Sequence, residues 1–387
     1  MRAMLRRPLR PVRTAALAAL AVAVTATLAP TAPASAAPGA DGAPTVKHVG
    51  PKSFTKPGPY GVGETTLELP GNGAAVEVWY PARPSDVKGK PAAEYDVVDW
   101  LPEAAQALLP DSASVTYPSG GVDDVPVARG RFPLVVFSHG YLGFPAQSSF
   151  LTSWLASWGF VVAAPEHRSR DLASLLGAPQ GAPTDVEDLR ATITLMTKES
   201  ARRTGRFAKR IDTTEVGALG HSAGGSAVVR LAATDRRVDT FIAMAGGSTD
   251  AGVPRVPGLV LAGDSDGIVG LAKLRSTYAA LRAPKQLVVL SRAGHHAFSD
   301  LCEVGSGQGG LVEVADALHF PVTEDMERLA TDGCKPPAIS PTKSWPAIRQ
   351  ATVAHLRQVF GQDTSLKGLT GLRSAFRGVV ASSTSKR

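Results

Sequence analysis

What this chain has little of narrows the field before any motif is read. Cysteine occurs twice in 387 residues. That is too rare for a disulfide-built scaffold, and the spacing is wrong for a Cys-x-x-Cys redox or zinc site. Charged residues are held to 19% and aromatic ones to 6%, while hydrophobic residues reach 44%. A chain so apolar is not disordered throughout. A surplus of one charge sign is also missing from the body. Arg2, Arg6, Arg7, Arg10 and Arg13 carry five of the seven surplus positive charges within the first 36 residues. The near-neutral remainder does not suit a phosphate-backbone binder, so no nucleic-acid partner is expected. No H-E-x-x-H, Cys–His set or calcium loop occurs, so no metal is expected. Away from the N-terminus, no apolar run approaches the ~20 residues of a membrane span.

The first segment reads as an address. Residues 1–14 are Arg-rich, 15–29 are apolar and uncharged, and Ala34-Ser35-Ala36 has the small-x-small pattern of a signal-peptidase site. Residues 1–36 are therefore expected to be a secretory signal peptide cleaved after Ala36, and the mature protein to be extracellular. An oxidising destination makes Cys302 and Cys334 a disulfide pair. Residues 37–63, rich in Pro and Gly, read as a linker. Residues 362–387, with Lys367, Arg373, Arg377, Lys386 and Arg387, read as a basic, flexible tail.

Between these ends, compact apolar runs alternate with amphipathic ones. Strands are expected at 65–69 and 75–80, paired antiparallel, then at 132–137, 160–164, 216–219, 240–244, 258–262 and 286–290. Helices are expected near 146–158, 223–233, 271–281 and 345–360. The pattern predicts one α/β domain over 64–361, with a mostly parallel central sheet and helices on both faces. Its loops at the strands' C-terminal edge are where a site should gather. Residues 299–344 form an insertion that holds both cysteines.

The strongest motif is Gly220-His221-Ser222-Ala223-Gly224, a G-x-S-x-G with a strand before it and a helix after it. That context is a nucleophile elbow. The sharp turn strains the serine, and the flanking glycines remove side chains that would clash. A serine hydroxyl needs a base, and an imidazole oriented by a carboxylate supplies one. On a strand–elbow–helix frame the chain order is serine, acid, histidine. The acid is expected after strand 258–262, where Asp264 and Asp266 compete. Asp266 lies deeper in the loop and is favoured, Asp264 is suited to capping the turn, and Asp250 is a third candidate. The base is expected after strand 286–290, at His295 or His296. His295, directly after Gly294, is favoured, with His296 on the loop or rim. His221 is read as a packing and hydrogen-bonding residue. The oxyanion needs two donors: the backbone N–H of Ala223, and that of Tyr141 in the loop Ser138-His139-Gly140-Tyr141. Glu166-His167-Arg168 reads as an ion-paired loop at the same edge. The G-x-G-x-x-G at 305–310 opens no βαβ unit, so it is not read as a nucleotide site.

Three segments carry a resemblance: Val136-Phe-Ser-His-Gly140, Phe160 to Arg168, and Gly294-His-His-Ala-Phe-Ser-Asp300. With the elbow, they make the chain resemble the α/β-hydrolase superfamily over residues 60–361. Within it the chain is similar to the platelet-activating-factor acetylhydrolase and dienelactone-hydrolase-like branch, with bacterial cutinase-like polyester hydrolases as neighbours. The serine at 222 departs from the cysteine of true dienelactone hydrolases. The resemblance implies an α/β-hydrolase fold and a carboxylic ester hydrolase. It would work through Ser222, His295 and Asp266, need no cofactor, and act as a monomer on a small ester, a lipid or a polyester. An amidase or peptidase with the same triad, and a non-catalytic binding protein on this fold, are the alternatives.

Overall fold

A strand whose consecutive residues are all apolar has no solvent face, so it needs a layer packed on each side. The computed structural model describes residue 46 and residues 48–387 apart from 111–112, 178, 309, 311, 313–314 and 317–320, all within the compact unit Pro38–Arg387. The expected signal peptide lies outside the described residues, as does Gly309 of the glycine-rich stretch at 305–310. No helix among the described residues is long and apolar enough to cross a membrane.

The strands are β1 (Gly61–Glu68), β2 (Ala75–Ala82), β3 (Glu94–Asp96), β4 (Thr116–Pro118), β5 (Val122–Asp123), β6 (Phe132–Ser138), β7 (Val161–Pro165), β8 (Ile211–His221), β9 (Thr240–Met244), β10 (Gly258–Gly263), β11 (Lys285–Leu290) and β12 (Val380–Lys386). The helices that matter here are α1 (Ser149–Ser157), α2 (Asp185–Ala201), α3 (Ala223–Thr234), α4 (Leu271–Ala280), α5 (Glu324–Thr331) and α6 (Pro341–Val359). Ten strands form one sheet in the order β12-β11-β10-β9-β8-β6-β7-β2-β1-β5, and β3 with β4 makes a separate ribbon. The middle of the large sheet, β7 through β11, is parallel. Antiparallel pairs flank it, β7 with β2 and β2 with β1 on one side, β11 with β12 on the other, and β5 adds a short parallel pair at the outer edge of β1.

Alternation along each strand feeds two core layers. On β6, Val135 and Phe137 enter one layer, while Leu134 and Val136 enter the other. The first layer is covered by α1 and α6 through Leu151, Leu155, Ile348 and Leu356. The second is covered by α2, α3 and α4 through Ile193, Met196, Val228 and Leu274. This is the α/β-hydrolase fold. The chain leaves β6 toward β7 but leaves β8 toward β9, in the opposite direction along the sheet. A crevice opens where neighbouring parallel strands send their connections apart, at their C-terminal ends.

Two expectations need correction. Residues 37–63 do not act as a linker over their described part. Phe54 is fully buried, its N–H bonds Gln350 Oε1 at 2.8 Å, and its carbonyl accepts Trp154 Nε1 at 3.0 Å. The carbonyl of Lys56 accepts Trp158 Nε1 at 3.1 Å. Indole N–H groups over a core need acceptors, and this segment supplies them. Residues 362–387 are likewise not a free tail. Leu372, Phe376 and Val380 enter the core, and β12 pairs antiparallel with β11. The Arg357 side chain, fully buried, binds Asp363 through Nε at 2.8 Å and Nη2 at 2.9 Å. A run of Ser, Thr and Lys reads as solvated, yet that composition also suits a strand at a sheet edge. There, backbone pairing does the work and exposed side chains stay polar. The domain therefore runs past residue 361.

Truncation after residue 361 is expected to uncover the edge of β11 and to remove Asp363 from a buried guanidinium, a loss on the order of 3–5 kcal/mol for such a pair alone. The truncated protein should be insoluble or melt far below the full chain. A truncated protein that melts within two or three degrees of it, by circular dichroism, would refute the assignment of these residues to the core.

Candidate active site

Ser222 sits where β8 ends and α3 begins, with φ 57° and ψ −119°. A non-glycine residue in this region is strained and has to be held. Its N–H bonds the carbonyl of Met244 at the end of β9, at 2.8 Å. The two motif glycines are there for space. A Cβ on Gly220 would lie 2.2 Å from the Gly224 carbonyl oxygen, and one on Gly224 would lie 2.0 Å from that of Ser138. The result aims the Ser222 side chain into the crevice at a helix N-terminus, where developing negative charge is favoured.

His295 and Asp266 come to the same point from the loops after β11 and β10. His295 Nε2 lies 2.9 Å from Ser222 Oγ, and His295 Nδ1 lies 3.0 Å from Asp266 Oδ2. Asp266 is fixed through its other oxygen, which accepts the N–H groups of Ile268 at 2.9 Å and Val269 at 2.7 Å. A carboxylate has no proton to give, so His295 Nδ1 donates to Asp266, which leaves Nε2 to accept from the serine hydroxyl. The chain brings a hydroxyl, an imidazole of defined tautomer and an oriented carboxylate into one line.

The other candidates lie elsewhere. Asp264 Oδ1 accepts the Arg292 N–H at 2.6 Å, which ties the two loops together. Asp250 pairs with Arg230 at 2.7 Å on the surface. His296 is not a rim residue but a buried one. Its Nδ1 meets Ser299 Oγ at 3.0 Å and its Nε2 meets the Leu329 carbonyl at 2.5 Å. Burial, with His295 beside it, lowers its pKa to about 4, so it stays neutral at ordinary pH. Glu166 and Arg168 pair at 3.0 Å, whereas His167, between them, turns inward.

The loop after β6 is held by a network that sequence reading did not find. Arg170, nearly buried, donates to the carbonyls of His139 at 2.8 Å and Gly140 at 2.7 Å. The Gly140 carbonyl also accepts His139 Nδ1 at 2.8 Å. In a trans peptide the N–H points opposite the C=O, so clamping the Gly140 carbonyl turns the Tyr141 N–H the other way. On the glycine side of this peptide, a Cβ on Gly140 would sit 3.4 Å from Ser222 Cβ. The Tyr141 and Ala223 amides have no acceptor among the described residues. Gln147 joins the loop to the elbow. Its Oε1 accepts the Gly140 N–H at 3.1 Å, and its Nε2 donates to His221 Nδ1 at 2.9 Å. His221 Nε2 then donates to the His295 carbonyl at 3.1 Å. Burial, and then its neighbours His295 and His296, hold the His221 pKa well below the usual imidazole value, so this neutral bridge persists.

The insertion holds the His295–His296 turn through the Leu329 and Asp332 carbonyls, which meet His296, and through the Asp332 carboxylate. Asp332 Oδ1 accepts the His295 N–H at 2.6 Å, and its Oδ2 accepts the Gly267 N–H at 3.1 Å. One side chain thus spans the loop carrying the histidine and the loop carrying Asp266. Two residues further on, Cys334 is joined to Cys302 by a disulfide.

The family description PET hydrolase-like matches residues 111–314. The chain belongs to this family. The matched stretch contains Tyr141, Ser222, Asp266 and His295 and stops short of Asp332. Membership of this PET hydrolase-like family makes the chain a hydrolase of the α/β-hydrolase superfamily whose chemistry is directed at carboxylic esters.

Sequence reading missed Asp332, Arg170 and Gln147. Arg170 and Asp332 act on backbone groups distant in the chain, Gln147 on the Gly140 amide and the His221 ring, and no local motif marks such contacts. The one available hint was an acid two residues before a cysteine expected to be bridged.

Asp332→Ala is expected to lower kcat on p-nitrophenyl butyrate by tenfold or more with KM little changed. Asp332→Asn, which keeps one acceptor oxygen, should recover part of that loss. Equal losses in both variants, or a change confined to KM, would contradict a positioning role.

Proposed function

We propose that the protein is a secreted serine hydrolase that cleaves carboxylic esters through an acyl-enzyme. The observation that carries the reading is the line Ser222 Oγ, His295 Nε2, His295 Nδ1, Asp266 Oδ2, with separations of 2.9 and 3.0 Å. Ser222 Oγ attacks the ester carbonyl carbon while His295 Nε2 takes its proton. The carbonyl oxygen becomes negative and is met by the amides of Tyr141 and Ala223. Such donors are typically worth ~3–4 kcal/mol each in the transition state. Asp266 stabilises the imidazolium and keeps its tautomer. His295 then gives its proton to the leaving alcohol. Water, activated by the same imidazole, attacks the acyl-serine, and the acid departs. The chemistry of these residues calls for no cofactor.

Family membership supports ester substrates, polyesters among them. The Cys302–Cys334 disulfide supports an oxidising compartment and hence the expected export. The stretch from Gly294 to Asp300 supports a place near the platelet-activating-factor acetylhydrolase branch. There, Asp300 is buried and accepts the Ser149 hydroxyl at 2.8 Å, so it fixes the start of α1 beside the site.

The test is a panel of p-nitrophenyl acetate, p-nitrophenyl butyrate and a p-nitroanilide, assayed on the mature protein. Esters should turn over and the anilide should lag far behind. Ser222→Ala and His295→Ala should each lose about five or six orders of magnitude in kcat, and Asp266→Ala about four. His296→Ala should keep the chemistry, with a weaker hold on the insertion. Ester turnover that survives Ser222→Ala would overturn the assignment.

A further inference from the structure

A cavity of about 260 Å³ lies against Tyr141 and against His296, the residue after His295. Besides the loop of Tyr141, Leu142 and Phe144, three segments contribute much of its wall. Val98 and Leu101 follow β3, Leu175 belongs to the short turn Leu172–Leu176, and Leu301, Met326 and Leu329 belong to the insertion and α5. Tyr141 and His296 are the polar residues among those lining it. His296 has both ring nitrogens engaged, by Ser299 and Leu329. Among the described residues, the Tyr141 hydroxyl is left as the one unengaged side-chain donor on an otherwise apolar wall, so what enters must itself be largely apolar.

Two facts tie the cavity to the ester chemistry. Tyr141, whose amide has no acceptor among the described residues, lines the cavity. His296 follows His295 directly. The large hydrophobic side chains exposed among the described residues are Leu108, Tyr141 and Leu176, at 85%, 55% and 52%. Leu109 and Leu175, the chain neighbours of two of them, line the cavity as Tyr141 does. Exposed apolar residues grouped in this way mark a surface that meets an apolar partner.

We propose that the cavity receives the unbranched aliphatic acyl chain of a medium-chain ester, which enters over this apolar rim. The inference rests on the ester reading above. The acyl group, rather than the alcohol, is assigned to it because the acyl group stays on Ser222 while the alcohol leaves and water replaces it. An apolar pocket suits the part that stays. At ~30 Å³ per water-sized group, and with a methylene of similar size, the volume holds a chain on the order of eight carbons. An aromatic diacid would carry its second carboxyl group against a wall that offers it, among the described residues, the Tyr141 hydroxyl as its one unengaged side-chain donor, so it should be disfavoured.

The experiment measures kcat/KM for p-nitrophenyl acetate, butyrate, octanoate, palmitate and benzoate, and for octyl acetate. Each methylene buried in the cavity is worth about fourfold, so octanoate should exceed acetate by at least about thirtyfold. Palmitate and benzoate should fall below octanoate, and octyl acetate should show no comparable gain. Val98→Phe, which fills the cavity, should lower the octanoate-to-acetate ratio at least about tenfold. The ratio is internal to one sample, so partial misfolding does not imitate it. Acetate turnover with a flat or falling series, a ratio unmoved by Val98→Phe, or a gain with octyl acetate instead would overturn the acyl pocket and leave ester hydrolysis standing. Failure to turn over any ester would overturn the ester reading, and the pocket with it.

Discussion

A single contact, Ser222 Oγ to His295 Nε2 at 2.9 Å, organises the upper edge of this molecule. The two residues are far apart in sequence, so the fold must bring their loops together and then keep them from drifting. The sheet order does the first, since β8 and β11 belong to one parallel run and end at the same edge. A web of backbone contacts does the second. Met244 holds the strained serine, and Asp332 and His221 hold the N–H and the carbonyl of His295. Proton transfer depends on heavy-atom geometry at this scale, so contacts one residue removed from the chemistry bear on rate as well as on stability.

Hydrogen-bonded order alone does not make a reactive serine, and the molecule holds its own comparison. Ser138 Oγ lies 2.9 Å from His167 Nε2, and His167 Nδ1 lies 3.0 Å from Asp188 Oδ2. The distances match those at Ser222. Ser138 and His167 are fully buried, however, and Arg170 Nη2 donates to Ser138 Oγ at 2.9 Å. Burial and the Arg170 charge hold the His167 pKa well below its ordinary value, while burial raises that of Asp188 to about 7. A neutral imidazole beside a fixed cation, with no room for a substrate, braces the loop that carries Tyr141. Access and a pair of free amides separate Ser222 from this second line.

How much of this was legible in the sequence depends on the range of each signal. The elbow is local, so Gly220 to Gly224 identified Ser222 and the strand–helix junction around it. Fully apolar stretches such as 132–137 and 240–244 announced the buried parallel strands. Loop order after successive strands pointed to the two loops, and position within them put Asp266 ahead of Asp264 and His295 ahead of His296; in the structure His295 meets Ser222 and Asp266 meets His295. The failures share a cause. Phe54 and the strand at 380–386 lie in segments of unpromising composition, and both are held by groups hundreds of residues or a full sheet edge away. Arg170, Gln147 and Asp332 work through backbone carbonyls and amides, which leave no mark in the one-letter sequence. The proposed acyl cavity is assembled from segments distant in the chain whose mutual approach no periodicity reveals.

The most direct measurement is the site of covalent capture by an alkyl fluorophosphonate, read by intact mass and peptide mapping. Stoichiometric addition of one phosphonyl group on the peptide bearing Ser222, abolished in His295→Ala, is the expected result. An unmodified protein, or an adduct on Ser138 or any other serine, would contradict the claim that Ser222 is the hydroxyl made reactive by this fold.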